Sequence, residues 1–116
     1  DQQFQALPSL EFQNLKVGIL INDRSASAAE AVTAALKEHG RAWVMGEKSY
    51  GKGVVQKLFP LSNGAALQMT VSHYYTPSGR MIEGVGIAPN QVYPMPHELK
   101  DESYVEHVAE ILINRR

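Results

Sequence analysis

Asp23-Arg24-Ser25-Ala26-Ser27-Ala28-Ala29-Glu30-Ala31-Val32, residues 23–32, follows the apolar run Val17-Gly18-Ile19-Leu20-Ile21. A short unbroken apolar run predicts a strand covered on both faces, here over residues 16–21. The pattern then switches to helical spacing over residues 28–39. Ala28, Val32, Ala35, Leu36 and His39 make one stripe, with Glu30, Thr33, Lys37 and Glu38 off it. Gly40 is the expected stop, with His39 and Arg41 beside the negative end of the helix dipole. Residues 42–45 read as a second strand. Strand, helix and strand with short joints predict a right-handed βαβ unit.

Beyond Gly46 the chain changes character. Residues 47–53 are polar, hold Gly51 and Gly53, and read as a loop. Residues 54–60 and 65–75 flank Ser62-Asn63-Gly64, and Asn-Gly between two such runs predicts a hairpin. In its second arm Leu67, Met69, Val71 and Tyr75 share one expected face, and Gln68, Thr70 and Ser72 the other. Thr76-Pro77-Ser78-Gly79 reads as a turn, and residues 83–89 as irregular. A last helix is expected to start near Ser103, where Ser103 and Glu106 fit a capping box, with Val105, Val108, Ala109 and Leu112 as its buried stripe. Residues 1–15 read as a lead-in and residues 97–116 as the C-terminal helix. The fold class is α/β with a mixed sheet and flanking helices.

The 116 residues suit one domain with a modest core. At 44% hydrophobic and 20% charged, the composition is that of a globular protein rather than a disordered one. A net charge of -1 gives no footing for nucleic acid. The absence of cysteine removes disulfides, thiolate catalysis and cysteine zinc sites. No apolar run is long enough to span a bilayer. The start, Asp1-Gln2-Gln3-Phe4, is not a signal peptide; it also lacks Met, which leads us to expect a piece of something longer.

Ser27-Ala28-Ala29-Glu30 is a capping box, with Ser27 at the N-cap and Glu30 reaching back from N3. The same serine sits between a buried strand and a helix N-terminus, where ligands bind in α/β sheets. Amides there are unpaired and the dipole favours negative charge, so the Ala28 N–H can help hold a tetrahedral oxyanion. Cap and nucleophile are both open readings of Ser27, and they do not exclude each other. A nucleophilic hydroxyl needs a base. His39, His73, His97 and His107 lie in no motif and at no metal-ligand spacing, and read as structural. Lys52 stands alone between two glycines that let other segments pack close and strip water from its amine. A lysine acts as a base only when neutral, and burial favours that form. A solvated loop lysine is the competing reading. Gln56, on the same face as Lys52 if the segment is extended, is either its orienting partner or an ordinary strand residue. Gly46-Glu47-Lys48-Ser49-Tyr50-Gly51-Lys52 mimics a phosphate-binding loop, but Gly53 replaces the required Ser or Thr and the next residues alternate like a strand.

Taken together, Ser25-Ala26-Ser27-Ala28-Ala29-Glu30, Gly46-Glu47, Tyr50-Gly51-Lys52-Gly53-Val54-Val55-Gln56, Tyr74-Tyr75-Thr76-Pro77-Ser78-Gly79-Arg80 and Gly84-Val85-Gly86-Ile87-Ala88-Pro89 resemble the carboxyl-terminal processing proteases. These are also called tail-specific proteases, the S41 serine peptidases. The resemblance runs from about Val17 to Val92. It implies a ClpP/crotonase-like α/β protease core, present here in part. It also implies a Ser–Lys pair, with Ser27 as nucleophile, Lys52 as general base, Gln56 orienting the base and the Ala28 N–H as one oxyanion donor. Ser25 is then a neighbour. The family implies protein or peptide substrates, cleavage near their C-terminus through an acyl-enzyme, no metal or cofactor, and a home in the periplasm, cell envelope or plastid lumen. Asp23-Arg24 stands where many members have glycine, and Ala29-Glu30-Ala31 where Ser-Glu-Ile/Leu is usual. The upstream PDZ domain and upstream half of the core that members usually carry are not in this sequence. The alternative is a non-catalytic binding or association module, as in retinoid-binding proteins of the eye that share the fold. Its apolar seam, left by missing strands, would favour self-association.

Overall fold

The computed structural model describes residues 3–5, 12, 14–94 and 102–114, with the side chains of 102–104 outside the description. His97, the Ser103 side chain and most of the lead-in therefore lie outside the described residues. The elements are β1 (Val17–Ile21), α1 (Ala28–Glu38), β2 (Ala42–Gly46), β3 (Val54–Pro60), β4 (Ala66–His73), β5 (Gln91–Val92) and α2 (Glu102–Ile113). The expected α/β class holds, with parallel and antiparallel pairing in two sheets. β1, β2 and β5 form a parallel sheet in the order β1-β2-β5, and β3 with β4 forms a separate antiparallel hairpin.

β1 and β2 pair in register from Val17 opposite Ala42 to Ile21 opposite Gly46, so β1-α1-β2 is the predicted βαβ unit. Alanines and Leu36 favour the helical state along α1. The helix ends in a Schellman motif: Arg41 N–H donates to Leu36 O at 2.8 Å, and Gly40 N–H to Lys37 O at 3.0 Å. Gly40 supplies the left-handed residue the motif needs, at φ 66°.

The core is Ile21, Ala34, Val44, Ile82 and Ile87, with Ile19 against it. β2 is its centre, with Val44 and Met45 fully buried. β1 departs from expectation. It is a sheet edge, and of its five residues only Ile21 is buried, so its faces are only partly covered. The predicted stripe of α1 is likewise wrong. Its buried residues are Glu30, Thr33 and Ala34, whereas Val32 is 57% exposed. Polar side chains are tolerated inside because they are satisfied. Thr33 Oγ1 donates to Ala29 O at 2.7 Å, and Glu30 is treated below.

β5 has no signature in its own residues. It is two residues long, and its register on β2 is fixed by Asn90, whose Oδ1 accepts Val44 N–H at 2.9 Å and whose N–H donates to Val44 O at 2.7 Å. In the hairpin, pairing steps from Val55 opposite Ser72 to Gln56 opposite Thr70, leaving Val71 as an extra residue on β4. The bulge corrects the expected alternation. Directly opposed residues share a face, so Ser72 joins the side of Val55 and Lys57, while Thr70 lies with Gln56. Every residue of β4 is exposed.

α2 begins at Glu102 and packs on β1. Gly18 makes this possible, since a Cβ there would overlap the Leu112 side chain. Val108 is buried, but Val105, expected in the same stripe, is 51% exposed. His107 rests near Tyr93, ring centroids 5.9 Å apart.

A polar clamp ties the turn after the hairpin to the end of α1. Arg80 Nη2 meets Glu38 Oε1 at 2.5 Å, and Ser78 N–H donates to Glu38 Oε2 at 2.8 Å. A carboxylate near a helix C-terminus is disfavoured by the dipole, and Arg80 offsets this. The Arg80 guanidinium, aided by the Ser78 amide, lowers Glu38 from 4.5 to about 2. The clamp therefore stabilises the fold fully above pH 4.5 and fades as pH falls through about 2. Acid titration of stability should show a loss across that window that is reduced in Glu38→Gln.

Candidate active site

The turn between β1 and α1 places Ser27 as the N-cap of the helix. Among the described residues it is the single non-glycine with positive φ, at φ 58° and ψ -120°. Such a conformation costs a residue with a Cβ about 1–3 kcal/mol and persists only where surroundings impose it. Three hydrogen bonds impose it here. The Ser27 carbonyl accepts Glu30 N–H at 2.9 Å and Ala31 N–H at 3.1 Å. The Ser27 N–H donates to Glu30 Oε2 at 2.9 Å. The predicted capping box is therefore present, with Glu30 as its firm half. The Ser27 hydroxyl faces the N3 amide without closing a full hydrogen bond, which leaves it half-exposed at the helix mouth. The Ala28 N–H, in the first turn, has no hydrogen-bond partner among the described residues.

Lys52 comes from the loop between β2 and β3. Its flanking glycines do what their smallness suggests. Gly51, at φ 92°, lies against the backbone of Gly84–Gly86, where a Cβ would sit 3.0 Å from Gly86 N. Gly53 packs on Ile82 and Glu83 just as tightly. Gly51 N–H and O are both used, by Glu30 and by Gly84 N–H, and Gly53 N–H donates to Glu83 Oε2 at 2.5 Å. The expected desolvation of the lysine does not follow. Both glycines are buried against residues 82–86, so the residue between them turns the opposite way, and Lys52 is exposed. No hydrogen bond joins its Nζ to Ser27 Oγ or to Gln56 among the described residues. Gln56 is exposed on β3, and its Oε1 accepts Gln68 Nε2 at 2.6 Å across the hairpin. The bulge lies on the partner strand and leaves the Lys52–Gln56 spacing extended. The structure thus brings the backbones at 27 and 52 together but not the side chains of 27, 52 and 56.

Their meeting point is Glu30, a residue sequence reasoning credited only with the cap. Its carboxylate is 1% exposed. Oε2 accepts Ser27 N–H and, at 2.8 Å, Lys52 N–H. Oε1 accepts the Ser49 hydroxyl at 2.5 Å and Gly51 N–H at 2.6 Å. Burying a carboxylate costs several kcal/mol. Hydrogen bonds to a charged group contribute about 1.5–3 kcal/mol each, and four of them converge. Ser49 is itself buried and accepts Ile87 N–H at 2.7 Å, carrying the link into the core. Tyr50 N–H donates to Ser25 O at 2.9 Å, a second tie between the two segments. The available signal in the sequence is a carboxylate in the first turn of an alanine-rich helix, with a later segment whose glycine amides lack sheet partners.

After Gly53 the chain enters β3 rather than a helix, so the sequence 46–52 lacks the context of a phosphate-binding loop. Among the described residues no cluster of His, Cys, Asp and Glu is arranged to hold a metal.

The family model for peptidase family S41 matches residues 2–93. The carboxy-terminal-processing protease of Bartonella bacilliformis is 48% identical over 86 residues, covering 74% of this chain and 20% of that protein. The chloroplastic carboxyl-terminal-processing peptidase 2 of Arabidopsis thaliana is 44% identical over 87 residues, covering 74% of this chain and 16% of that protein. The solved structure of a photosystem II D1 C-terminal processing protease is similar with a TM-score of 0.69 and 31% identity, covering 85% of this chain and 25% of that one. The chain thus spans about a fifth of the length of the curated relatives it matches.

Strain at Ser27 has a measurable sign. Ser27→Gly should be more stable than Ser27→Ala by roughly 1–3 kcal/mol in urea denaturation, because glycine adopts this backbone freely.

Proposed function

This chain belongs to peptidase family S41, and we propose that it carries the nucleophile and base of a serine endopeptidase acting near the C-terminus of protein substrates. The observation that carries the reading is the strained Ser27 at the N-terminus of α1, beside an Ala28 amide with no partner among the described residues and linked through Glu30 Oε2 to the Lys52 amide. Ser27 Oγ attacks the scissile carbonyl while Lys52 Nζ takes its proton. The carbonyl oxygen becomes an oxyanion that accepts the Ala28 N–H. Collapse breaks the C–N bond, and the ammonium of Lys52 returns the proton to the leaving amine. Water, deprotonated by Lys52, then attacks the acyl-enzyme, the ester C–O bond breaks, and Lys52 returns the proton to Ser27 Oγ, restoring the hydroxyl and the neutral amine. Gln56 orients the amine once its bond to Gln68 is exchanged.

The exposure of Lys52 in this chain sets a requirement. Its amine works as a base only when covered, and we assign that cover to bound substrate and further polypeptide of the protease. The PDZ domain and upstream half of the core are part of the same proposal, as is an extracytoplasmic or lumenal location. Support for the location is the chloroplastic designation of the Arabidopsis relative. No described helix is long and apolar enough to cross a membrane.

A fluorophosphonate probe applied to the complete protein should label Ser27, and Ser27→Ala should abolish labelling. Lys52→Ala should slow labelling by about 10²–10⁴-fold. Full labelling without the lysine removes the Ser–Lys assignment.

One observation favours a second reading, an association module. The edge strand β1 and the exposed side of α1 line an open hollow of about 470 Å³ whose walls include Ile19, Leu20, Ala28, Val32 and Leu36. If this seam joins copies of the chain, sedimentation should show dimers or larger species at rising concentration, and Val32→Asp should restore the monomer. A monomer throughout eliminates this reading.

A further inference from the structure

Tyr50 stands beside the candidate site without a part in the proposed chemistry. We infer that it is a specificity-determining residue, its ring the wall of the subsite for the substrate residue whose amine leaves; this rests on the Ser27/Lys52 reading. Burial alternates residue by residue along its segment. Ser49, Gly51 and Gly53 are buried, whereas Lys48, Tyr50 and Lys52 are exposed. Tyr50 and Lys52 therefore leave the interior from neighbouring points of one segment. Their Cα atoms are two trans peptides apart, at most about 7.6 Å. On its other side, Tyr50 N–H donates to Ser25 O at 2.9 Å, two residues before the nucleophile. The ring thus starts between the turn that carries Ser27 and the residue that carries the base.

Single exposed apolar residues are ordinary on a protein surface. What sets this one apart is an exposed ring on a fixed origin. Tyr50 is 69% exposed, and its ring and hydroxyl make no hydrogen bond or ring contact among the described residues. Its main chain is nonetheless held, by the bond to Ser25 and by buried neighbours on both sides. A tyrosine on such a base presents a large contact surface and has only two side-chain torsions to immobilise. Lys52 returns the proton to the leaving amine, so the residue that owns that amine stands against Lys52 during cleavage. Its side chain is then beside the Tyr50 ring. The ring selects an aliphatic or aromatic side chain, which takes its apolar surface out of water. An acidic or small polar side chain in that position gains nothing from it.

The test uses the complete protein and two peptides that differ only in the residue after the scissile bond, leucine against serine. Wild type, Tyr50→Ala and Tyr50→Phe are compared by kcat/KM. The leucine-to-serine ratio should fall about 10-fold in Tyr50→Ala and stay within about threefold in Tyr50→Phe, which keeps the ring. A ratio unchanged in Tyr50→Ala overturns the inference. So does an equal fall for both peptides, which makes Tyr50 a support of the site and not a selector. A ratio lost in Tyr50→Phe as well moves the effect to the hydroxyl and overturns the apolar wall. A second peptide pair varies the residue before the scissile bond, and selectivity lost there instead overturns the subsite assignment. Probe labelling that ignores Lys52 rejects the dyad, while the ratio still reports on Tyr50 from the same peptides.

Discussion

A single buried carboxylate organises this molecule. Glu30 gathers a hydroxyl and three main-chain amides from two segments distant in sequence. The cost of removing its charge from water is offset only because all these donors arrive at once. That condition dictates much else. Ser27 must turn its amide inward, which forces its unusual backbone. The 49–53 loop must approach closely, which requires glycine at 51 and 53. Residues 82–87 must close over that loop, which places Ile82 and Ile87 in the core.

The parts legible in the sequence are those with local causes. The β1-α1-β2 unit follows from an apolar run, a helical period and a glycine stop, and the hairpin follows from Asn63-Gly64 between alternating arms. The S41 resemblance, carried by Ser27, the Gly51-Lys52-Gly53 triplet and the Thr76–Arg80 turn, agrees with the family match over residues 2–93. What escaped has non-local causes. β5 exists because Asn90 completes β2's ladder. The side of α1 that faces inward is not its most hydrophobic one, because the buried residue that matters there is an acid. The bulge at Val71 shows only in pairing. The orientation of Lys52 depends on what its two neighbours lie against.

The candidate site is legible in its residue types and not in its assembly. Ser27 and Lys52 could be named from residue type and setting, and the fold brings their main chains onto one oxygen atom. The amine, the hydroxyl and Gln56 are not assembled within the chain described. Main-chain scaffolding and side-chain chemistry are separable here. The first is built by contacts of Glu30, Ser49, Gly51 and Gly53, while the second is not formed, with Lys52 exposed. The same separation is visible on α1, whose inner side is closed by polar contacts and whose outer side presents Val32 and Leu36 to an open hollow.

The seam between residues 49–53 and 82–87 is backbone laid on backbone, with hydrogen atoms where side chains would otherwise interlock. Tyr50 and Val85 flank that seam and project outward, 69% and 51% exposed. Neither side chain takes part in the join beneath, where the contacts are those of the main chain. The molecule thus has a main-chain frame with no room for added atoms, bordered by side chains that the join does not use.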